Sequence, residues 1–191
     1  MIIETANLLL RPFKETDWES VHVYGGDPKV CEFMEWGPNS VGESKDFVRR
    51  SIRLWRQHPQ TGFEFAIEQK ADNKLVGSIG LYLHEPKRQQ ALLGYTFAKA
   101  YWGRGFGTDA ARAVIQFGFK ELKLHRISAM CDVRNIGSFR VMEKAGMRRE
   151  GLFLQERFIK GHWRDTLVYS ILAYEWSQIV GGEQTLNRID I

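Results

Sequence analysis

The sequence predicts an α/β fold of the mixed α+β kind, with a mostly antiparallel seven-stranded sheet and helices on both faces. Three consecutive segments between residues 63 and 97 alternate apolar with polar residues, and their short connections predict an antiparallel meander. In the second half, strand patterns alternate with helical spacing, which predicts a mixed sheet. The 191 residues suffice for one domain, which we assign to 1–176, with a loose polar tail over 177–191.

Capping patterns and changes of period define the elements of the first half. Thr16-x-x-Glu19 and Ser40-x-x-Glu43 are capping-box patterns, and each predicts the start of a helix. The stretch 25–39 is irregular, and the polar stretch 85–90 is predicted to be a loop. The predicted elements are a strand over 8–11, helices over 16–24 and 40–58, and strands over 63–68, 75–84 and 91–97.

The second half is read in the same way. Gly146 follows a short helical pattern and is well placed as its C-terminal cap. Lys160-Gly161 joins the last two strands. The predicted elements are a helix over 108–122, a strand over 126–132, a helix over 138–145 and strands over 151–159 and 166–173.

Composition argues against several classes of protein. No apolar run approaches the roughly 20 residues of a membrane span, and the N-terminus lacks a signal-peptide pattern. We therefore expect a cytoplasmic protein whose two cysteines are reduced. The pI of about 9.1 raises the question of nucleic-acid binding, but the basic residues are scattered. No set of His, Cys, Asp and Glu has the spacing of metal ligands, so we expect no metal.

The segment from Trp102 to Thr108 contains three glycines at alternate positions and leads into a helix. Successive backbone N–H groups at a helix N-terminus bind phosphate, so a phosphate site is predicted beside the simpler reading of a flexible turn. Gly105-x-Gly107-x-x-Ala110 also matches a dinucleotide fingerprint. That fingerprint should directly follow a strand of a parallel βαβ unit, and here the preceding strands form an antiparallel meander.

These motifs resemble the GNAT acetyltransferase superfamily. The stretch 102–110 is similar to its pyrophosphate loop, and 134–147, with Asn-x-x-Ser followed by Glu-Lys-x-Gly-Met, is similar to its RimJ/RimL-like branch of ribosomal-protein alanine acetyltransferases. The opening strand and last hairpin agree as well, so the resemblance spans roughly 7–176. It implies an enzyme that transfers an acetyl group from acetyl-CoA to a primary amine, by direct attack in a ternary complex. The amine would belong to a protein N-terminus or a small molecule.

Two positions depart from the family pattern. Trp102 stands where the loop has Arg or Gln, which is tolerable if that position supplies its backbone N–H. Leu92 stands where relatives often carry Glu, two residues before Gly94, so the general base is unassigned. A CoA-binding sensor or interaction module without turnover is therefore the alternative function. A nucleic-acid-binding module is a more distant one, since no arginine-rich stripe accompanies the aromatics.

Several residues are candidates for the chemistry. Ser138 is the candidate proton donor, although it would also serve as a helix cap. Glu64 and Glu68 share one strand face and are candidate bases. Asn135 is assigned to the pantetheine arm by resemblance, beside the reading of a turn residue. The expected acetyl-CoA contacts are Tyr95, Thr96, Phe97, Trp102, Gly103, Arg104, Gly105, Phe106, Gly107, Thr108, Asn135 and Ser138.

The acceptor site is predicted between the irregular stretch 25–39 and the hairpin end 158–163. Phe33, Trp36 and Trp163 are the expected contacts, because aromatics beside acids suit a cationic amine. The same aromatics would equally serve as core. Exposed final strands would allow two chains to pair as a homodimer. No membrane and no nucleic-acid partner is expected.

Overall fold

The computed structural model describes residues 1–84 and 89–186, and the side chains of 1–84 and 89–180. Within these residues the chain forms one eight-stranded sheet and five α-helices, so the predicted mixed fold class is confirmed. The elements are β1 (Ile3–Glu4), β2 (Leu8–Pro12), α1 (Trp18–Gly25), α2 (Val41–Leu54), β3 (Gly62–Gln69), β4 (Lys74–His84), β5 (Gln90–Phe97), α3 (Phe106–Lys120), β6 (Arg126–Asp132), α4 (Ile136–Lys144), β7 (Arg148–Ile159), β8 (His162–Leu172) and α5 (Ala173–Leu186).

The sheet has the order β1-β2-β3-β4-β5-β6-β8-β7. All neighbouring strands are antiparallel except β5 and β6, which are parallel. These two strands pair only from Gln90 with Arg126 to Leu92 with Ser128. Beyond Leu92, β5 pairs with β4 alone among the described strands, so the sheet opens between β5 and β6.

Helices cover both faces of this sheet. Phe65 and Ile67 are fully buried in the main core, which α3 completes with Ala110 and Ile115. Ala66, between them on β3, packs into a second core formed with α1 and α2. Because successive strand residues point to opposite faces, the two cores lie on opposite sides of the sheet.

One predicted capping box is confirmed and the other is wrong. The Ser40 hydroxyl accepts the Glu43 N–H at 3.2 Å, and the Glu43 carboxylate accepts the Ser40 N–H at 2.7 Å, as expected at the start of α2. At Thr16 the chain instead forms a 3-10 turn over Glu15–Asp17, and α1 begins at Trp18. The Asp17 carboxylate stabilises this turn by accepting the N–H of Lys14 at 2.7 Å.

Both ends of the chain depart from the predicted elements. The eighth strand, β1, has two residues and is too short to show an alternating pattern, which is why it was missed. The expected loose tail from Ser177 is helical as far as residue 186, because Trp176, Ile179 and Val180 pack against the main core. Residues 187–191 and the predicted loop at 85–88 lie outside the described residues. No helix of the described chain combines the length and apolar character needed to cross a membrane.

Candidate active site

A cavity of about 1010 Å³ lies where β5 and β6 part. It reaches from α1, α2 and the middle of β3 and β4 to the start of α4 and the β7–β8 hairpin. The residues that carry candidate chemistry and line it are Tyr24, Phe33, Trp36, Glu64, Ser78, Tyr82, Leu92, Gly94, Tyr95, Thr96, Cys131, Asn135 and Ser138. The opening in the sheet and the predicted acceptor walls therefore belong to one continuous space.

The glycine loop leads directly into α3, which begins at Phe106, two residues earlier than predicted. Gly103 and Gly105 have φ angles of 74° and 82°, a region that favours glycine. A Cβ at either position would meet no atom within 4 Å, so conformation rather than packing requires the glycines. Gly107 is different, because a Cβ there would lie 2.9 Å from Val141 of α4. The exposed loop thus presents backbone N–H groups at a helix N-terminus, which suits the pyrophosphate of CoA.

Trp102 braces this loop through its side chain. The indole N–H donates to the Phe97 carbonyl at 2.8 Å, while half of the side chain is exposed. The Arg104 guanidinium lies over the Tyr101 ring, 5.3 Å from its centre. Phe97 and Phe106 are buried in the core, so only their backbones are available to a ligand.

The unpaired edge of β5 faces the opening in the sheet. Leu92–Thr96 from β5 and Met130–Asp132 from β6 both line the cavity. Since an antiparallel strand directs alternate backbone groups to its two edges, the edge of β5 beyond Leu92 offers N–H and C=O groups towards β6. This edge suits the amide-rich pantetheine arm.

Asn135 and Ser138 meet Tyr95 at the start of α4. The Asn135 side-chain oxygen accepts the Ser138 N–H at 3.1 Å, so Asn135, and not Ser138, caps this helix. The Ser138 hydroxyl lies 3.1 Å from the Tyr95 hydroxyl, which also donates to the Ser138 carbonyl at 2.8 Å. Burial raises the pKa of Tyr95 above its usual range, so that hydroxyl stays protonated. Burial likewise raises the pKa of the Cys131 thiol to about 11, against the effect of the nearby Ser138 hydroxyl.

Glu64 is a buried carboxylate in the same cavity, with 4 % of its surface exposed. It accepts a hydrogen bond from the Tyr82 hydroxyl. Across the sheet it lies in register with Gly80 of β4, which pairs in turn with Gly94 of β5. A Cβ on Gly80 would overlap the Glu64 carboxylate and lie 2.6 Å from the Tyr82 hydroxyl oxygen, so this glycine makes room for the pair.

Burial raises the pKa of Glu64 to about 7, and hydrogen bonds from Tyr82 and Ser78 oppose part of that rise. A carboxylate of this kind exchanges protons near neutral pH. Leu92, which replaces the acid common at that position, pairs in register with Tyr82. A carboxylate therefore lines the same cavity as Leu92, but it comes from β3.

Glu68 lies elsewhere, although it shares the face of Glu64 on β3. Its carboxylate is paired with the Arg11 guanidinium, which also contacts Asp17 at 2.7 Å. These three side chains line a separate cavity of about 390 Å³. The prediction that Glu68 serves the reaction is corrected by this placement, because its charge is held in an ion pair outside the large cavity.

The two predicted acceptor walls touch each other. The Lys160 ammonium, in the turn of the β7–β8 hairpin, donates to the carbonyls of Cys31 at 2.6 Å and Trp36 at 3.2 Å. Phe33 and Trp36 line the cavity as expected. Trp163 does not, because it packs against Phe158 near the hairpin end, 5.4 Å between ring centres, where both are exposed.

Residues of α1 and α2 that the sequence did not single out also line the cavity. In α2, Asp46 and Phe47 lie three and four positions after Glu43, and Arg50 lies three positions after Phe47, so these four residues share one helix face. Tyr24 comes from α1, and Tyr82 from β4. In the sequence these residues fit only the general pattern of a helix face or a strand, and no motif marks them as site residues.

Residues 7–148 match the family profile described as the acetyltransferase (GNAT) domain. The chain belongs to the GNAT acetyltransferase family. It is therefore an N-acetyltransferase, with acetyl-CoA as acetyl donor, as expected from the sequence.

Relatives and solved structures agree with this assignment. The chain is 35 % identical over 178 residues to the uncharacterized N-acetyltransferase YnaD of Bacillus subtilis, covering 93 % of this chain and all of the relative. A GNAT-family acetyltransferase structure from Bacillus anthracis is 34 % identical, with a TM-score of 0.81, covering 91 % and 99 % of the two chains.

A more distant structure shares the fold. It is the Vibrio cholerae spermidine N-acetyltransferase in complex with CoA and spermine, which is 22 % identical, with a TM-score of 0.77 and coverages of 90 % and 99 %. YnaD, which this chain matches over the relative's whole length, is uncharacterized, so the RimJ/RimL-like branch stays a prediction.

Proposed function

We propose that this enzyme acetylates a primary amine, on a protein N-terminus or a small molecule, by direct attack within a ternary complex. Glu64 acts as the base and Ser138 as the proton donor. The observation that carries the proposal is that Glu64, with a pKa of about 7, lines the same cavity as Ser138 where β5 and β6 part.

Acetyl-CoA, when bound, supplies an activated acyl thioester. Backbone N–H groups of the loop 102–108 bind its pyrophosphate, with the positive end of α3 adding to their attraction. The free edge of β5 at Gly94–Thr96 binds the pantetheine amides. The Asn135 side-chain amide group remains a donor for the same arm, since its oxygen caps α4.

The proton transfers follow from the positions of Glu64 and Ser138. A lysine-like amine has a reference pKa near 10.4 and must lose a proton to react. Glu64 accepts a proton from the acceptor nitrogen, and its pKa of about 7 suits that exchange at neutral pH. The Ser138 Oγ holds the proton that the departing thiol takes up. The Tyr95 hydroxyl, 3.1 Å away, stays protonated and positions this group. The proton that Glu64 takes from the amine passes to solvent on product release, and solvent returns a proton to Ser138, so both groups are restored.

The proposal also covers the cellular location of the enzyme, its assembly as a dimer and its branch of the family. Both cysteines are free thiols, which a reducing cytoplasm preserves. The edge strand β7 exposes Leu152, Phe153 and Leu154, which supports pairing of two chains as a homodimer. A RimJ/RimL-like protein acceptor remains a proposal that rests on the motif resemblance. The single domain proposed over 1–176 extends further along α5, because Ile179 and Val180 pack against the main core.

The test begins with binding and continues with turnover. Calorimetry should show acetyl-CoA binding to the wild type, retained in Gly105→Asn and weakened on the order of tenfold in Gly105→Asp, because the added carboxylate repels the pyrophosphate. Both variants carry similar backbone strain at a φ of 82°, so the Asn variant is the matched control. Equal affinity of the two variants would contradict the loop assignment.

Thiol release is then measured with N-terminal peptides, amino acids, spermidine and glucosamine. Release with one class identifies the acceptor, and a ribosomal-type N-terminal peptide would support the branch. Sedimentation of the same sample tests the dimer. Binding of acetyl-CoA without release on any amine would contradict the proposed reaction.

A further inference from the structure

The phenol ring of Tyr82 lies across three glycines on neighbouring strands, Gly62 of β3, Gly80 of β4 and Gly94 of β5. A Cβ built on Gly62, Gly80 or Gly94 would lie 3.3, 2.6 or 3.8 Å, respectively, from a ring atom of Tyr82. Gly62 pairs in register with Tyr82, and Gly80 with Gly94, so all four residues share the face of the sheet that α1 and α2 cover. The ring therefore covers backbone that carries no side chains of its own.

Packing explains the glycine at position 80 but not the one at position 94. A side chain on Gly80 would overlap the Glu64 carboxylate and the Tyr82 ring. A Cβ on Gly94 would have the Tyr82 ring as its sole neighbour within 4 Å among the described residues, at an ordinary contact distance. The φ angle of Gly94 is not positive either. A strand glycine that neither packing nor conformation requires is typical of close approach by a ligand.

The space over Gly94 lies where the acyl end of the donor arrives. Gly94 is on the part of β5 that flanks the opening between β5 and β6. A pantetheine arm that follows this edge brings its terminal thioester into the cavity that Gly94, Tyr82 and Ser138 line together. The acyl group then lies beside the Tyr82 ring, on the side of the cavity that the acceptor walls also reach.

We propose that the Tyr82 ring forms the wall of the acyl pocket over Gly94 and thereby limits the enzyme to short acyl groups. Tyr82 lines the cavity and 41 % of its surface is exposed, so the ring is accessible to the acyl group. This inference rests on the proposed position of the donor. It does not depend on which amine accepts the acyl group or on the role of Glu64 as base.

The Tyr82 ring is fixed at both of its ends. Its hydroxyl donates to the Glu64 carboxylate, which is itself buried. Its body rests on the backbone of Gly62 and Gly80, which leave no space between the ring and the sheet. An acyl chain that displaced the ring would break this hydrogen bond and leave the buried carboxylate with one donor fewer. The wall is therefore expected to resist a longer chain rather than yield to it.

The chemistry of the transfer is the same for every acyl group that fits. The acceptor nitrogen forms a bond to the acyl carbon, the carbon–sulfur bond breaks, and CoA leaves as the thiol with a proton that comes from the amine. Acetyl-CoA and butyryl-CoA carry the same thioester and differ by two methylenes. A preference between these donors therefore reports on the space around the acyl group.

The test compares acetyl-CoA with butyryl-CoA in wild type and in variants of Tyr82. Thiol release with N-terminal peptides, amino acids, spermidine and glucosamine gives kcat/KM for each donor, and calorimetry without an amine gives each Kd. Tyr82→Phe keeps the ring and loses the hydroxyl, whereas Tyr82→Ala loses both. Tyr82→Val is a second variant that suits a strand in case the Ala variant does not fold. Phe33→Ala is the matched control, because it removes a ring from another wall of the same cavity.

In wild type, kcat/KM for butyryl-CoA should be about 10²-fold lower than for acetyl-CoA, and its Kd about tenfold higher, because methylenes that do not fit a pocket are rejected by such factors. Tyr82→Ala should reduce both differences by about tenfold, and Tyr82→Val by less. Tyr82→Phe and Phe33→Ala should keep the wild-type ratios. Weaker support of Glu64 in the Tyr82 variants slows both donors alike, so it cancels in the ratio.

Equal use of the two donors by wild type would overturn the acyl wall. An unchanged ratio in Tyr82→Ala, in turnover and in binding, would do the same. A ratio in Tyr82→Phe as low as that in Tyr82→Ala would also overturn it, because the hydroxyl and not the ring would then set the limit. Failure of the proposed function looks different, since wild type would release no thiol with any amine while the ratios of Kd still reported on the wall.

Discussion

Two glutamates four residues apart on β3 face the same side of the sheet and have different surroundings. Glu64 is enclosed by neutral donors, the hydroxyls of Tyr82 and Ser78. Glu68 is paired with the guanidinium of Arg11, which Asp17 also contacts. Both carboxylates are largely buried, so the amount of burial is not what separates them.

The difference lies in what opposes the desolvation of each charge. A cation within contact distance stabilises the ionised form directly, whereas neutral donors recover only part of the lost hydration. The pKa of Glu64 therefore rises to about 7, where a carboxylate can take up and release a proton. Glu68 is instead part of the structural link between β2 and β3, so one strand carries the acid that we propose as the base and an acid held in an ion pair.

The largest contrast should appear in turnover. Glu64→Gln should lower kcat by about 10²–10⁴-fold, the usual contribution of a general base, while acetyl-CoA binds as before. Glu68→Gln, the matched control, should keep kcat close to wild type at temperatures where it is folded. The measurement is steady-state thiol release with calorimetry of acetyl-CoA. Similar losses of kcat in both variants would contradict the assignment of Glu64 as the base and Glu68 as a structural acid.

The second contrast concerns pH. Because the ionised form of Glu64 is the base, and it is populated above the pKa of about 7, kcat should rise about tenfold per pH unit below that value and level off above it. Glu68→Gln should keep this acidic limb, and Glu64→Gln should lose it. A pH profile of kcat for the three proteins checks this. Persistence of the limb in Glu64→Gln would assign it to another group.

The smallest contrast is one of stability, and its sign should differ between the two positions. The folded pKa of Glu64 lies above its ordinary value of 4.5, so folding is penalised progressively as pH rises from about 4.5 to 7, and fully above 7. The free energy of unfolding of Glu64→Gln should therefore be about 1–3 kcal/mol higher than that of wild type at pH 8, and this gain should fade towards pH 4.5. Glu68→Gln should destabilise by about 1–2 kcal/mol by weakening the pairing of Arg11.

Denaturant unfolding at several pH values measures both changes. An unchanged stability of Glu64→Gln at pH 8 would mean that its carboxylate is hydrated or paired in solution. A gain that did not fade at low pH would point to better packing of the amide rather than to removal of a buried charge.

Local patterns made much of the fold predictable from the sequence. The alternating segments gave β3, β4 and β5 to within a residue or two, and the Ser40 capping box began α2 where expected. The Thr16 pattern failed because Asp17 accepts the Lys14 N–H, so the turn is capped at Lys14 and not at Thr16. Asp17 is also paired with Arg11, a contact that lies outside the capping pattern. The helix α5 was missed because its burial depends on Gly146 and the distant core, not on strong periodicity.

The residues of the candidate site likewise divide into those that local patterns predict and those that depend on distant contacts. The conformation of the glycine loop and the cap formed by Asn135 depend on their own backbone and immediate neighbours, so their spacing was informative. Choosing between Glu64 and Glu68 required knowing that Arg11, 57 residues before Glu68, pairs with it. Tyr24 joins the site only because α1 packs over the sheet, which the sequence does not specify position by position.

The glycine at position 80 also limits the order in which this site can change. Any side chain there would occupy the space of the Glu64 carboxylate and crowd the Tyr82 hydroxyl. On the proposal that Glu64 is the base, we expect a lineage that moved this role from the β5 position now held by Leu92 to position 64 to have acquired the glycine first and the acid second. The reverse order passes through an intermediate with a clash and a displaced carboxylate. Among sequences of this family, Glu at 64 should occur only with Gly at 80, whereas Gly at 80 should also occur without it.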